Sequence, residues 1–221
     1  MFTIALVCQK GGAGKTTIAV HLAVEAQRRG YRTLLIDLDP QASAAKVLDR
    51  RGDQPPDVVT EHPARLDVAL PAAAAEGYDL VVLDTAPQAD QAALRAARAA
   101  DLVLIPVRPS IVDLDAVQAT MDVCQLAKRQ PVFILNAVPA QGSEAREARE
   151  VISMPGATVS PVALGDRKAF RIAFNDGQVA QELDPKSKAA AEITALFDAL
   201  NIPTGPHSHR TTITPVKELR P

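Results

Sequence analysis

Tryptophan is absent from the chain, aromatic residues of all kinds amount to 3%, and only two cysteines occur in 221 residues. So few rings leave the core to be assembled from Ala, Val, Leu and Ile. The two thiols, Cys8 in LVCQ and Cys124 in DVCQL, exclude a disulfide framework and cannot by themselves complete a four-ligand zinc site. Their apolar settings suit buried thiols of a reducing compartment. An excess of charge is missing too: 24 Lys and Arg against 26 Asp and Glu give a net charge of −2. The chain as a whole is no polycation, and any contact with nucleic acid has to come from a local patch. Nor is there an apolar run approaching the roughly 20 residues that cross a bilayer. The opening MFTIALVCQK carries no basic leader and no cleavage site, so it reads as a first strand and neither export nor a membrane partner is expected.

What the chain does contain is 47% hydrophobic and 23% charged residues, ordinary for a soluble globular protein, and enough length for one well-buried domain. Runs at Phe2–Val7, Thr33–Ile36, Leu80–Leu83, Leu102–Val107 and Val132–Leu135 are short and almost continuously apolar, the pattern of strands covered on both faces. Between them Thr16–Arg29, Gln91–Ala100 and Leu114–Arg129 repeat apolar residues at helical spacing, the first ending on Gly30 as a C-terminal cap. GSEAREAREVI, within 141–158, predicts an exposed helix, and Pro185–Leu200 a final one. Strands alternating with helices make βαβ units, hence an α/β fold with a mainly parallel twisted sheet and helices on both faces. One domain is expected over 1–200, then a flexible tail over 201–221 with four prolines. His207 and His209 in that tail lack carboxylate or cysteine support and are not read as a metal site.

In such sheets ligands bind beyond the carboxyl ends of the strands, and QKGGAGKTT, residues Gln9 to Thr17, follows the first strand directly. Without Cβ atoms, Gly11, Gly12 and Gly14 let the backbone curl, so that the N–H groups of this loop, Ala13 included, aim at one anion beside a helix N-terminus. Lys15 is placed to reach the β- and γ-phosphates, and Thr16, followed by Thr17, to put a hydroxyl on Mg²⁺. The common pattern G-x-x-x-x-G-K-[ST] has a glycine where this chain has Gln9, and a second lysine, Lys10, stands beside it. Asp84 ends the run LVVLD, while Asp37 and Asp39 end LLIDLDPQ. Carboxylates at the tips of two strands facing one glycine loop suit a metal ion and an attacking water.

KGGAGKTT, DLDPQ and DTAP together resemble the ParA/MinD family of deviant Walker A P-loop ATPases. ADLVLIPVRPSIVDLDAV and GQVAQELDPKSKAAAEI resemble ParA partition ATPases more narrowly, and the likeness covers nearly all of residues 2–200. It implies ATP and Mg²⁺ as cofactors and an ATP-bound homodimer in which Lys10 reaches across to the partner's phosphates. It further implies that Asp39 positions the hydrolytic water, that Asp37 supports the metal or the switch region, and that Asn136 in ILNAV reads the adenine edge. An asparagine amide both donates and accepts, which suits adenine N6 and N7 and equally suits local backbone. Where relatives carry DTPP this chain has DTAP, so Ala86 removes one rigid φ angle from that loop. The chain starts at its first strand without a helix-turn-helix extension, so operator-specific repression is not expected.

For partition proteins the resemblance implies an ATP-bound dimer on non-specific double-stranded DNA, a ParB-type centromere-binding partner that stimulates hydrolysis, and a cytoplasmic, nucleoid-associated location. Candidate DNA contacts are Arg167, Lys168 and Arg171 in GDRKAFRIAF, with Lys186 and Lys188 in DPKSK. Asp166, Asp176, Glu182 and Asp184 are interleaved with them, so a mixed, solvated surface is the competing reading. A positioning ATPase that recruits a protein cargo without DNA is the alternative from another class. A dethiobiotin-synthetase type of enzyme is a weaker one. MinD-like membrane attachment is disfavoured, because ITPVKELRP is interrupted by Pro215 and lacks an apolar helical face. Intrinsic turnover is expected to be slow, since no arginine is assigned as a finger in cis.

Overall fold

The computed structural model describes residues 1–152 and 156–203, with 111–116 described only as part of a helix. Most of the expected tail, including both of its histidines, lies outside the described residues. Among those described, seven strands form one sheet: β1 Phe2–Leu6, β2 Thr33–Asp37, β3 Asp57–Thr60, β4 Leu80–Asp84, β5 Leu102–Val107, β6 Pro131–Leu135 and β7 Thr158–Val159. The helices are α1 Lys15–Arg28, α2 Ser43–Leu48, α3 Leu66–Ala75, α4 Asp90–Ala99, α5 Ile111–Ala127, α6 Glu144–Ile152, α7 Lys168–Ile172, α8 Ala180–Leu183 and α9 Lys188–Ala199. The strand order is β3-β2-β4-β1-β5-β6-β7, all parallel, which is the α/β architecture anticipated from the apolar runs.

Continuous apolarity in the strands follows from burial on both faces. In β1, Ile4 and Leu6 pack with Ile18 and Leu22 of α1 and Leu196 and Phe197 of α9. Ala5 faces the opposite layer, with Ala93 and Ala96 of α4 and Met121 and Cys124 of α5. Each fully buried Ile or Leu contributes roughly 1.5–3 kcal/mol, so the two layers hold the sheet rigid from both sides. Helix α1 stops where anticipated: Gly30 takes a φ of 87°, its N–H donates to Gln27 and that of Tyr31 to Ala26, a double cap that only a left-handed residue permits. Both cysteines are buried and unlinked. Burial pushes the Cys124 thiol up to about 11, so it stays protonated.

Topology sets the position of the site. From β1 the chain runs through α1 to β2 on one side, whereas β4 and β5 flank β1 directly. That reversal opens a crevice at the carboxyl end of β1. No helix among the described residues is long and apolar enough to cross a membrane.

Candidate functional site

The loop between β1 and α1 is shaped by its glycines. Gly12 and Gly14 have φ of 75° and 105°, in the left-handed region where a Cβ is strained. A side chain at Gly14 would also collide with the Asn136 amide. This close approach has a purpose in the loop: Asn136 Nδ2 donates to the Ala13 carbonyl at 2.8 Å, tying the end of β6 to the turn. At the other end of the loop the Gln88 N–H donates to the Gln9 carbonyl at 3.1 Å. Lys15 is 6% exposed, and its Nζ donates to the carbonyls of Cys8 at 3.1 Å and Lys10 at 3.4 Å. Burial lowers its pKa, against the pull of Cys8, Asp84 and Asp39. An ammonium held by two carbonyls in a nearly closed setting suits an anionic ligand.

The acidic strand ends divide the work between them. Asp37, 1% exposed, accepts from the Asp39 N–H on one oxygen and from the N–H groups of Ala44 and Ala45 on the other. These bonds hold the DLDPQ turn and the start of α2. Asp39 lies half-exposed at the cavity and accepts from the Gln41 N–H at 2.8 Å. Asp84 is fully buried, yet among the described residues neither of its oxygens has a hydrogen-bond partner. Burial pushes its pKa up to about 7; the Thr16 hydroxyl, near it without reaching bonding geometry, and the Lys15 ammonium pull the other way, and Asp37 adds to the rise. A buried carboxylate with both oxygens orphaned, next to a threonine hydroxyl, fits a divalent cation with its water shell. Thr16 and Asp84 are therefore the residues that suit Mg²⁺.

A cavity of about 350 Å³ opens over the loop, lined by Gly12, Gly14, Lys15, Thr16, Thr17, Asp39 and Asn136 together with Thr85, Pro87, Arg108, Ala137, Gly165, Asp166, Arg167, Phe170 and Arg171. Its size suits a small ligand. Lys10, half-buried, and Gly11, exposed, do not line it. A larger groove, about 710 Å³, lies between α3 and α4 away from the glycine loop.

Two of the arginines singled out for DNA border this cavity. Arg167 is engaged by Glu192, with Nη2 to Oε1 at 2.6 Å and Nε to the same oxygen at 3.1 Å. Arg171 faces Asp166 at 3.3 Å in an exposed pair. Lys168, Lys186 and Lys188 are exposed. The wall at Phe170 is anchored through buried His21 of α1. Its Nδ1 donates to the Thr17 carbonyl at 2.7 Å and its Nε2 accepts from the Ala180 N–H at 3.2 Å, while Phe170 meets the ring edge-on at 5.1 Å. Both bonds fix the neutral tautomer, and burial holds the pKa down at about 4.

Sequence reasoning missed Thr85, whose hydroxyl donates to the Leu6 carbonyl at 2.7 Å, and Arg108. The signal for Arg108 was a lone cation between two prolines just past a strand end, IPVRPS.

The fold resembles that of the septum site-determining protein MinD in complex with Mg-ADP from Pyrococcus horikoshii: TM-score 0.75, 20% identity, 90% of this chain and 96% of that one. Among curated proteins, the maintenance of carboxysome distribution protein A of Halothiobacillus neapolitanus is 29% identical over 204 residues, 86% of this chain and 92% of that protein. The chromosome-partitioning ATPase Soj of Thermus thermophilus is 37% identical over 143 residues, 52% of this chain and 57% of Soj. The model of the CobQ/CobB/MinD/ParA nucleotide binding domain matches residues 4–180. Because that match runs from the first strand through the glycine loop and both acidic strand ends to the wall at Phe170, the chain belongs to this nucleotide-binding family, whose ParA/MinD members are P-loop ATPases.

Proposed function

We propose that the protein is a Mg²⁺-dependent ParA-type ATPase whose ATP-bound homodimer holds non-specific DNA and whose hydrolysis, stimulated by a ParB-type partner, drives segregation of plasmid or chromosomal DNA. The observation that carries the ATPase reading is the orphaned Asp84 carboxylate beside Thr16 and the enclosed Lys15. One group calls for a divalent cation, the other for a phosphate. In this reading Gly11, Gly12, Ala13, Gly14 and Thr17 cradle the phosphates, and Asn136 keeps Oδ1 for the base while Nδ2 holds the loop. Asp39 stands at the cavity mouth, where a carboxylate orients the attacking water. When bound, Mg²⁺ would neutralise charge on the terminal phosphates.

Asp39→Ala should leave ATP binding within a few fold of wild type and reduce turnover by about 100-fold or more, so that ATP-bound dimer accumulates in sizing experiments. Wild-type turnover in this variant would remove Asp39 from its assigned role.

The DNA arm has its own measurement. With a non-hydrolysable ATP analogue, binding to random-sequence duplex should be tight at low salt and fall steeply as salt rises, through counterion release. Substituting Lys168, Lys186 and Lys188 should flatten that slope; Arg167, already paired with Glu192, should matter less. The likeness to a carboxysome distribution protein over most of the chain favours a second reading, positioning of a protein cargo. Absence of any duplex binding at low salt would select it.

A further inference from the structure

Strand β5 lies next to β1 in the sheet, with Leu104 opposite Leu6, so the chain leaving β5 passes beside the glycine loop. Arg108 is the first residue out. The Asn136 N–H donates to the Val107 carbonyl at 2.8 Å, which places Arg108 between the base side of the cavity and the loop. A carbon on Gly12 would stand 4.0 Å from Arg108 Nη2, and Arg108 lines the same cavity as Lys15 and Thr16.

The backbone beneath this side chain is fixed. Pro109 restricts Arg108 to extended conformations, and the Ser110 N–H closes a tight turn onto the Arg108 carbonyl at 2.8 Å. The side chain itself is exposed, and among the described residues it makes no ion pair. A cation on a stiff mount, facing a cradle of backbone N–H groups, has an anion as its natural counterpart. The guanidinium fork matches two phosphate oxygens at once, which a lysine ammonium cannot do.

We propose that Arg108 is a second cation of the nucleotide site, gripping the phosphate chain of its own subunit's ATP from the β5 side above Gly12. It supplies in cis a charge that the lysines of the loop supply from below and, through Lys10, from the partner. The inference rests on the ATP reading of the cavity.

The test is titration of wild type, Arg108→Ala, Arg108→Lys and Lys15→Ala with Mg²⁺ and a non-hydrolysable ATP analogue, alongside melting of each protein without nucleotide. Arg108→Ala should weaken binding by about 10-fold or more, and Arg108→Lys should fall between it and wild type, since charge remains but the fork is lost. Melting without nucleotide should not change, because the side chain is exposed and unpaired among the described residues. Affinity of Arg108→Ala within about twofold of wild type would overturn the proposal, even if its DNA binding fell. So would equal loss in the alanine and lysine variants. Failure of Lys15→Ala to lose affinity would instead overturn the ATP reading itself, and the proposal with it; loss there without loss in Arg108→Ala would overturn the Arg108 assignment alone.

Discussion

Replacing Lys15 with alanine is expected to weaken Mg-ATP binding by the isolated subunit by at least about 100-fold, because charge-assisted contacts to two phosphates contribute about 1.5–3 kcal/mol each. In this reading no neighbour replaces it. Lys15 Nζ is enclosed and already oriented by the carbonyls of Cys8 and Lys10, and the other cations lining the cavity, Arg108, Arg167 and Arg171, come from the end of β5 and from α7 with the residue before it. Lys10→Ala should behave differently. Its side chain does not line the cavity of its own subunit, so monomer affinity should stay within a few fold of wild type while ATP-dependent dimerisation and hydrolysis are lost. Equilibrium titration at low protein concentration, paired with sedimentation at high concentration, separates the two. Equal loss of monomer affinity in both variants would make Lys10 one more phosphate contact in its own subunit.

Whereas a separate role for Lys10 comes only from the family resemblance, the glycine loop itself was legible in the sequence because it rests on local pattern: three glycines and two lysines between an apolar run and a helix. The same holds for β1, β2, β4, β5 and β6, whose continuous apolarity is dictated by burial on both faces, and their observed limits lie within one residue of those read from the sequence. Strand β3 escaped notice because DVVT is an edge strand with exposed Asp57, Val59 and Thr60, so nothing demands a long apolar run there. Helix α3 escaped because Pro71 sits inside it, and an interior proline reads as a break. It survives at the surface, where a single lost hydrogen bond is solvated.

The wall at Phe170 was harder for another reason. In GDRKAFRIAF the spacing of Arg167, Lys168 and Arg171 predicts DNA contacts or a mixed solvated surface, and neither reading points to a cavity wall. That Arg167 and Arg171 border the cavity depends on β6, α1 and α9 meeting there, with Glu192 on α9 holding Arg167 and His21 on α1 packing on Phe170. Glycine loops and strand-end acids announce themselves within ten residues of chain. A wall whose contacts span from 25 to 159 residues of chain, and a single arginine such as Arg108, become visible only once the sheet order is known.

Asp84→Asn should make the protein without nucleotide more stable while removing its response to Mg²⁺. The carboxyl is buried with both oxygens unpartnered, and its pKa stands at about 7, against about 4 in an unfolded chain. Below the unfolded value both states hold the proton and the site contributes nothing. Between the two values the folded state keeps a proton that the unfolded state has released, so stability falls as pH rises through this window, and above about pH 7 the whole penalty is present. An amide carries no such penalty, so at about pH 8 the variant should gain on the order of 2 kcal/mol, a rise in melting temperature of about 4–8 °C for a chain of this size. At about pH 5, nearer the unfolded value, the gain should shrink by half or more. Adding Mg²⁺ and ATP should reverse the order, because under the proposed function the cation binds this carboxylate, stabilises wild type and finds no charge in the variant. If Asp84→Asn melts no higher than wild type at the alkaline end, the carboxylate is not under strain without its metal, and the strongest physical reason for placing Mg²⁺ beside Thr16 is gone.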